Sequence, residues 1–260
     1  IIRFLALKAQ NLLNVIFQCF LNFRACRLNL IYGATMIDAS PVACEEFFSY
    51  LEELFSISMN DIRVMIQDFH AEMGKGLSGD ESSLKMIPSF IDKPKGNEVG
   101  EFLALDLGGT NFRVLTVRLD GKGNTSVPFA RKFAIPQKDM QGTGVVLFDF
   151  IVGCIDAFLT ENHVDRSKTH DLAFTFSFPV EQTSIAAGKL IVWTKGFTAT
   201  GVQGQDVILL LNEALRRKDI SCVNVTALAN DTVGTLAARS YTDPACDLGV
   251  IMGTGTNACY

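Results

Sequence analysis

The chain has no acidic residue before Asp38, one tryptophan, three histidines and no CxxC pair. Each shortage closes off a class of chemistry. His70, His163 and His170 lie far apart in sequence, so a histidine metal cluster is not on offer. The seven cysteines (19, 26, 44, 154, 222, 246 and 259) are odd in number and scattered. They read as reduced thiols of a cytosolic protein, not as a disulfide frame or a zinc site. A net charge of −5 without a basic block gives nucleic acid no electrostatic footing. The most apolar run, Leu12–Phe23, is broken by Asn14, Gln18 and Asn22 and is too short to span a bilayer. There is no internal repeat and no low-complexity tract.

What remains is an ordinary globular composition, 48% hydrophobic and 20% charged over 260 residues, enough for one large domain or two smaller ones. Residues 1–37 stand apart, with Arg3, Lys8, Arg24 and Arg27 and no acid. A basic amphipathic helix making weak contact with a membrane surface is one reading. An ordinary extension, or an upstream region with Met36 as the true start, are the others. The weak amphipathic pattern favours these last two.

From Pro41 the pattern turns helical. Phe47, Phe48, Leu51, Leu54 and Phe55 form one stripe; Ile62, Met65, Ile66, Phe69 and Met73 form a second. Both are expected to be core. Ser58 is placed to cap the second helix, with Gly74 and Gly76 ending it. A polar link with Pro88, Pro94 and Gly96 follows.

The chain is organised around EFLALDLGGTNFRVLTVRL, residues 101–119. Two apolar runs flank a Gly108-Gly109-Thr110-Asn111 corner, which reads as a β-hairpin. Glycines there let backbone N–H groups approach an anion, Thr110 adds a hydroxyl, and Asp106 at the mouth is placed to face a metal ion carried by phosphates. An ordinary hairpin with a chance acid is the alternative. Downstream, strands are expected at 128–135, 171–178, 190–193, 222–228 and 248–252, with helices at 144–159, 205–217 and 232–240. A hairpin sheet followed by alternating helices and strands implies a mixed sheet covered by helices.

Three of those strands end in unusual polar residues: Ser177-Phe178-Pro179, Asn230-Asp231-Thr232 and Gly253-Thr254-Gly255-Thr256-Asn257. In open α/β sheets ligands sit at the carboxyl ends of strands, so these loops are expected to share one cleft. Asp231 is the candidate general base, although a carboxylate there also suits a plain helix cap. Lys195, in WTKGF, is the candidate cation for a transferring phosphoryl group, with a surface lysine as the alternative.

LDLGGTNFRV, FTFSFPV, WTKGF, NDTVGT and GTGTNACY, in that order, resemble the eukaryotic hexokinases that phosphorylate glucose, from about Glu46 to Tyr260. The resemblance implies an actin-like, ribonuclease-H-like two-domain α/β sugar kinase whose large domain is incomplete here. It explains the absence of a GxxxxGK[ST] loop. Residues 38–98 would be helices of the large domain plus a linker, 99–229 the small domain, and 230–260 the start of the large domain. Ser177, Phe178, Thr194, Lys195, Asn230, Asp231 and Asn257 match sugar-binding positions, with Asp231 as the base acting on the sugar 6-hydroxyl. Asp106, Leu107, Gly108, Gly109, Thr110 and Asn111 match the first phosphate motif, and Thr254 the second. ATP is implied as cofactor, with Mg²⁺ carried in by the nucleotide and no dedicated protein metal site. Glucose and related hexoses are implied as partners, at the first step of glycolysis. The implied location is the cytoplasm, with association at the mitochondrial surface left open.

The family pattern continues past Tyr260 with two further glutamates and an adenosine pocket. These 260 residues alone are therefore expected to be inactive and to expose apolar faces of an unfinished sheet. A non-catalytic module sensing glucose or its 6-phosphate, as in tandem hexokinases, is the alternative.

Overall fold

A computed structural model describes residues 49–50, 52–53, 55–109, 111–252 and 256–260. Residues 1–37, Phe47, Phe48, Leu51 and Leu54 of the first stripe, and Thr110 and Thr254 lie outside the described residues. The chain forms two compact units, residues 1–86 and 87–260.

The first unit carries α1, Met59–Ser78. Ser58 and Asp61 form a capping box: Ser58 Oγ accepts from the Asp61 N–H, and the Asp61 carboxylate accepts from the Ser58 N–H, both at 3.1 Å. The helix does not end at Gly74 or Gly76 as expected. It runs through both and stops at Gly79, whose φ of 79° is the left-handed cap conformation. Gly76 serves packing instead, since a Cβ there would lie 2.0 Å from the Leu84 carbonyl oxygen. The Glu72 carboxylate secures that crossing by accepting from Ser82 Oγ at 2.8 Å and the Ser83 N–H at 3.0 Å. No residue of α1 is buried, and Ile62, Ile66 and Phe69 are exposed, contrary to the core expectation. Periodicity finds an apolar face; it does not supply a partner.

The second unit contains β1 (Val99–Leu107), β2 (Asn111–Asp120) and β3 (Thr125–Ala134), a single-turn α2 (Gln137–Met140), and α3 (Gly144–Glu161). Then come β4 (His170–Phe176), β5 (Val180–Ser184), β6 (Ala187–Leu190), α4 (Val207–Arg217) and β7 (Val223–Ala229). The last elements are α5 (Asp231–Thr242), β8 (Gly249–Met252) and β9 (Thr256–Cys259). The main sheet has the order β3-β2-β1-β4-β7. β1, β2 and β3 pair antiparallel, whereas β4 and β7 run parallel to β1.

Burial alternates along β1, with Leu103, Leu105 and Leu107 inside. They join Phe112, Val114, Leu172, Phe174 and Phe176 in one core with Leu147, Ile151, Ile155 and Phe158 of α3 and Leu211 and Leu215 of α4. β3 is a largely exposed edge bearing Pro128, a residue that blunts pairing with another strand.

Two expectations need correction. The short strand read at 190–193 stops at Leu190 and is the second arm of a β5–β6 hairpin. The backbone after it turns away to form the WTKGF loop. β9 was not anticipated; it pairs with β8 as a separate two-stranded sheet, so the strands do not form a single sheet.

Candidate active site at three parallel strand ends

The register of the sheet assembles the site. Asp106 on β1 lies opposite Thr175 on β4, and Thr175 lies opposite Ala229 on β7. Three adjacent parallel strands therefore end side by side. They release Gly108–Gly109, Ser177–Phe178 and Asn230–Asp231 at one edge, the place where α/β sheets bind ligands.

Asp106 is half-buried, with Arg113 Nη1 3.6 Å from its carboxylate. Burial pushes its carboxyl above the ordinary value; Arg113 opposes this, Asp231 adds to it, and Lys195 opposes it. Asp106 thus feels the charges of both Asp231 and Lys195, which places all three in one electrostatic neighbourhood.

Asp231 opens α5. Asn230 caps that helix, its Oδ1 accepting from the Thr232 N–H at 3.0 Å, and Asp231 Oδ1 accepts from the same N–H at 3.0 Å. Asn257 on β9 locks the corner from the other side. Its Nδ2 donates to Asn230 Oδ1 at 3.0 Å and to Thr232 Oγ1 at 2.9 Å, and Thr232 Oγ1 also donates to Asn230 Oδ1.

Ser177 contributes a different signal. Its N–H donates to the Leu107 carbonyl at 3.0 Å, yet its Oγ is buried without a hydrogen-bond partner. An unpaired buried hydroxyl costs about 1–3 kcal/mol, which a hydroxylated ligand would recover.

Lys195 occupies a tight turn in which the Phe197 N–H donates to the Thr194 carbonyl at 3.1 Å. Lys195 and Gly196 have φ of 56° and 84°. Positive φ at both central positions is the signature of a type I′ turn, and costs a non-glycine residue about 1–2 kcal/mol. The Lys195 Nζ stands 5.7 Å from the Phe178 ring centre, in reach of a cation–π contact.

Among the described residues no group of three or more His, Cys, Asp or Glu could hold a metal ion. The donors around Asp106 are one carboxylate and two cations, Arg113 and Lys195. Arg113 is not among the residues singled out from the sequence. Pairing the hairpin outward from Leu107↔Phe112 would have put Arg113 opposite Asp106.

Five strands in the order β3-β2-β1-β4-β7, with α3 and α4 packed into the same core, make this a mixed α/β domain. The hexokinase family model matches residues 48–241, and the chain belongs to that family. It is 44% identical over 236 residues to human Hexokinase-1, covering 88% of this chain and 26% of the relative. Against Hexokinase-3 of Rattus norvegicus the identity is 40% over 262 residues, covering 99% of this chain and 28% of the relative. A solved hexokinase from Schistosoma mansoni, complexed with glucose, superposes with a TM-score of 0.73 at 41% identity, covering 82% of this chain and 49% of that one. The chain thus spans about a quarter of the length of these curated relatives.

Proposed function

We propose that the protein to which this chain belongs transfers the γ-phosphoryl group of ATP to the 6-hydroxyl of glucose or a related hexose. The observation that carries the reading is that three parallel strands end side by side at Asp106, Ser177 and Asp231, where Asp231 and Lys195 both act electrostatically on Asp106. Asp231 accepts the proton of the sugar hydroxyl as that oxygen attacks phosphorus in line. The products are the hexose 6-phosphate and ADP. Ser177, Phe178, Thr194, Asn230 and Asn257 hold the sugar. Lys195, Arg113 and the Asp106–Asn111 motif bind the phosphates, and Thr254 is assigned to them by its motif alone. Bound Mg²⁺ supplies charge neutralisation on the phosphate oxygens. Closing the cleft excludes water as a rival nucleophile. On this reading residues 99–229 are the small domain, 38–98 and 230–260 belong to the large one, and the reaction is the entry step of glycolysis in the cytoplasm.

Asp231→Asn in the longest available protein carrying this chain tests the assignment. Transfer measured by a coupled ADP assay should fall about 100- to 10,000-fold, roughly 3–5 kcal/mol of barrier, with hexose binding retained. Turnover within a few-fold of wild type sinks the base assignment. The second reading is a module that senses glucose or its 6-phosphate without catalysis. Wild-type protein that binds hexose and turns over nothing selects it.

A further inference from the structure

The strained turn at Lys195 has a built frame around it. Trp193 and Phe197, just outside the turn and at its last position, stack with centroids 5.2 Å apart and planes 22° from parallel. Phe178 meets both rings edge-on, at 4.8 Å from Trp193 and 5.0 Å from Phe197. Neither leg is loose. The Trp193 Nε1–H donates to the Ala199 carbonyl at 2.8 Å. Beyond Phe197, the Thr198 and Thr200 N–H groups donate to the Met140 and Gly142 carbonyls, each at 3.0 Å. Phe197 itself is buried.

A lysine does not adopt positive φ unaided, so something must compensate the cost. Here the two legs of the turn are pulled together by ring stacking; the leg after Phe197 is bolted to the segment that leads into α3, and the Trp193 indole is tied to that leg at Ala199. The ring the legs press against, Phe178, is also the ring beneath the Lys195 ammonium.

We propose that Trp193 and Phe197 are positioning residues, an aromatic bracket that holds Lys195 in its left-handed conformation and aims its ammonium across Phe178 into the strand-end site. The inference deepens the phosphotransfer reading and rests on it for the purpose of the aim, but the bracket itself concerns only the backbone of Lys195. It makes cation delivery a property of the folded loop before ligand arrives, the kind of preorganisation that spares reorganisation during the reaction.

The test uses isotope-labelled 260-residue chain as wild type, Phe197→Leu and Phe197→Tyr. A residue at positive φ shows a strong intraresidue HN–Hα cross-peak, and a rigid one shows backbone ¹⁵N relaxation like that of the sheet. Wild type and Phe197→Tyr should show both at Lys195. Phe197→Leu, which keeps apolar volume but not the stack, should lose both while the β1 and β4 resonances stay folded. The lone Trp193 provides a parallel readout, its emission moving to the red in Phe197→Leu only. A merely space-filling Phe197 would lower thermal stability without changing the Lys195 conformation in folded molecules, and that result overturns the bracket. If Phe197→Leu does not fold, Trp193→Phe, which retains a ring to stack, must preserve the Lys195 signature; its loss there also overturns the proposal. The phosphotransfer reading is decided separately by Asp231→Asn, so failure of one leaves the other legible.

Discussion

The two glycine–threonine corners of this chain are alike in sequence and unlike in setting. The first, 108–111, joins β1 and β2, which pair over nine positions from Val99↔Asp120 to Leu107↔Phe112. It stands on Leu105, Leu107, Phe112 and Val114, all at 0% exposure. The second, 253–255, joins β8 and β9, which pair over four positions in a sheet of their own. Its strands expose Val250 and Met252 and rest on α5. A short Gly/Thr motif specifies a turn; only the strands behind it decide whether the turn stands on a core. The first corner brings its own carboxylate to the site. The hairpin that carries the second meets the α5 cap through Asn257.

The largest effect that would sharpen this contrast is on stability. Phe174→Ala, in β4 beside the first hairpin, should cost about 3–5 kcal/mol in chemical denaturation. Val250→Ala on the second hairpin should stay within about 0.5 kcal/mol. Equal losses would show that the two hairpins share one cooperative core.

Next in size is the link between them. Asn257→Ala removes both hydrogen bonds to the α5 cap, for an expected loss of about 1–2 kcal/mol. Amide exchange at Thr256–Cys259 should rise while β1 and β2 stay protected. Unchanged exchange would mean that contact with α5 alone seats the hairpin.

The smallest effect concerns Asp106 and runs in the opposite direction. Burial raises its carboxyl above the ordinary value of 3.8. The folded state therefore binds the proton more tightly than the unfolded state, and stability falls as pH climbs from the ordinary value through the raised one. Asp106→Asn should raise the denaturation midpoint at neutral pH, with the gain vanishing below the ordinary aspartate range. A loss of stability at neutral pH would show that the attraction to Arg113 outweighs burial. The native carboxylate is in that sense a local cost to stability.

Much of this was legible without coordinates. The β1–β2 hairpin, α3, α4 and α5 follow from alternation and helical periodicity, and the start of α1 from its cap Ser58, because those signals are local; the cap read at Asp231 falls instead on Asn230. Ser177, Asp231 and Asn257 stood out because polar residues interrupt apolar runs at strand ends. Arg113 did not, since its meaning depends on which residue faces it across the hairpin. The Lys195 conformation was equally hidden: Trp-Thr-Lys-Gly-Phe does not announce a stacked pair. The α1 stripe was read as core because periodicity was mistaken for burial.

By itself, the sequence determined the chain's family, its turns, its caps and which residue types could carry phosphotransfer. All of these are written within a few residues of one another. Tertiary structure alone decided that Asp106, Asp231 and Lys195 share one field. Strand register aligns their elements, and charge coupling depends on distance through space, not on separation along the chain.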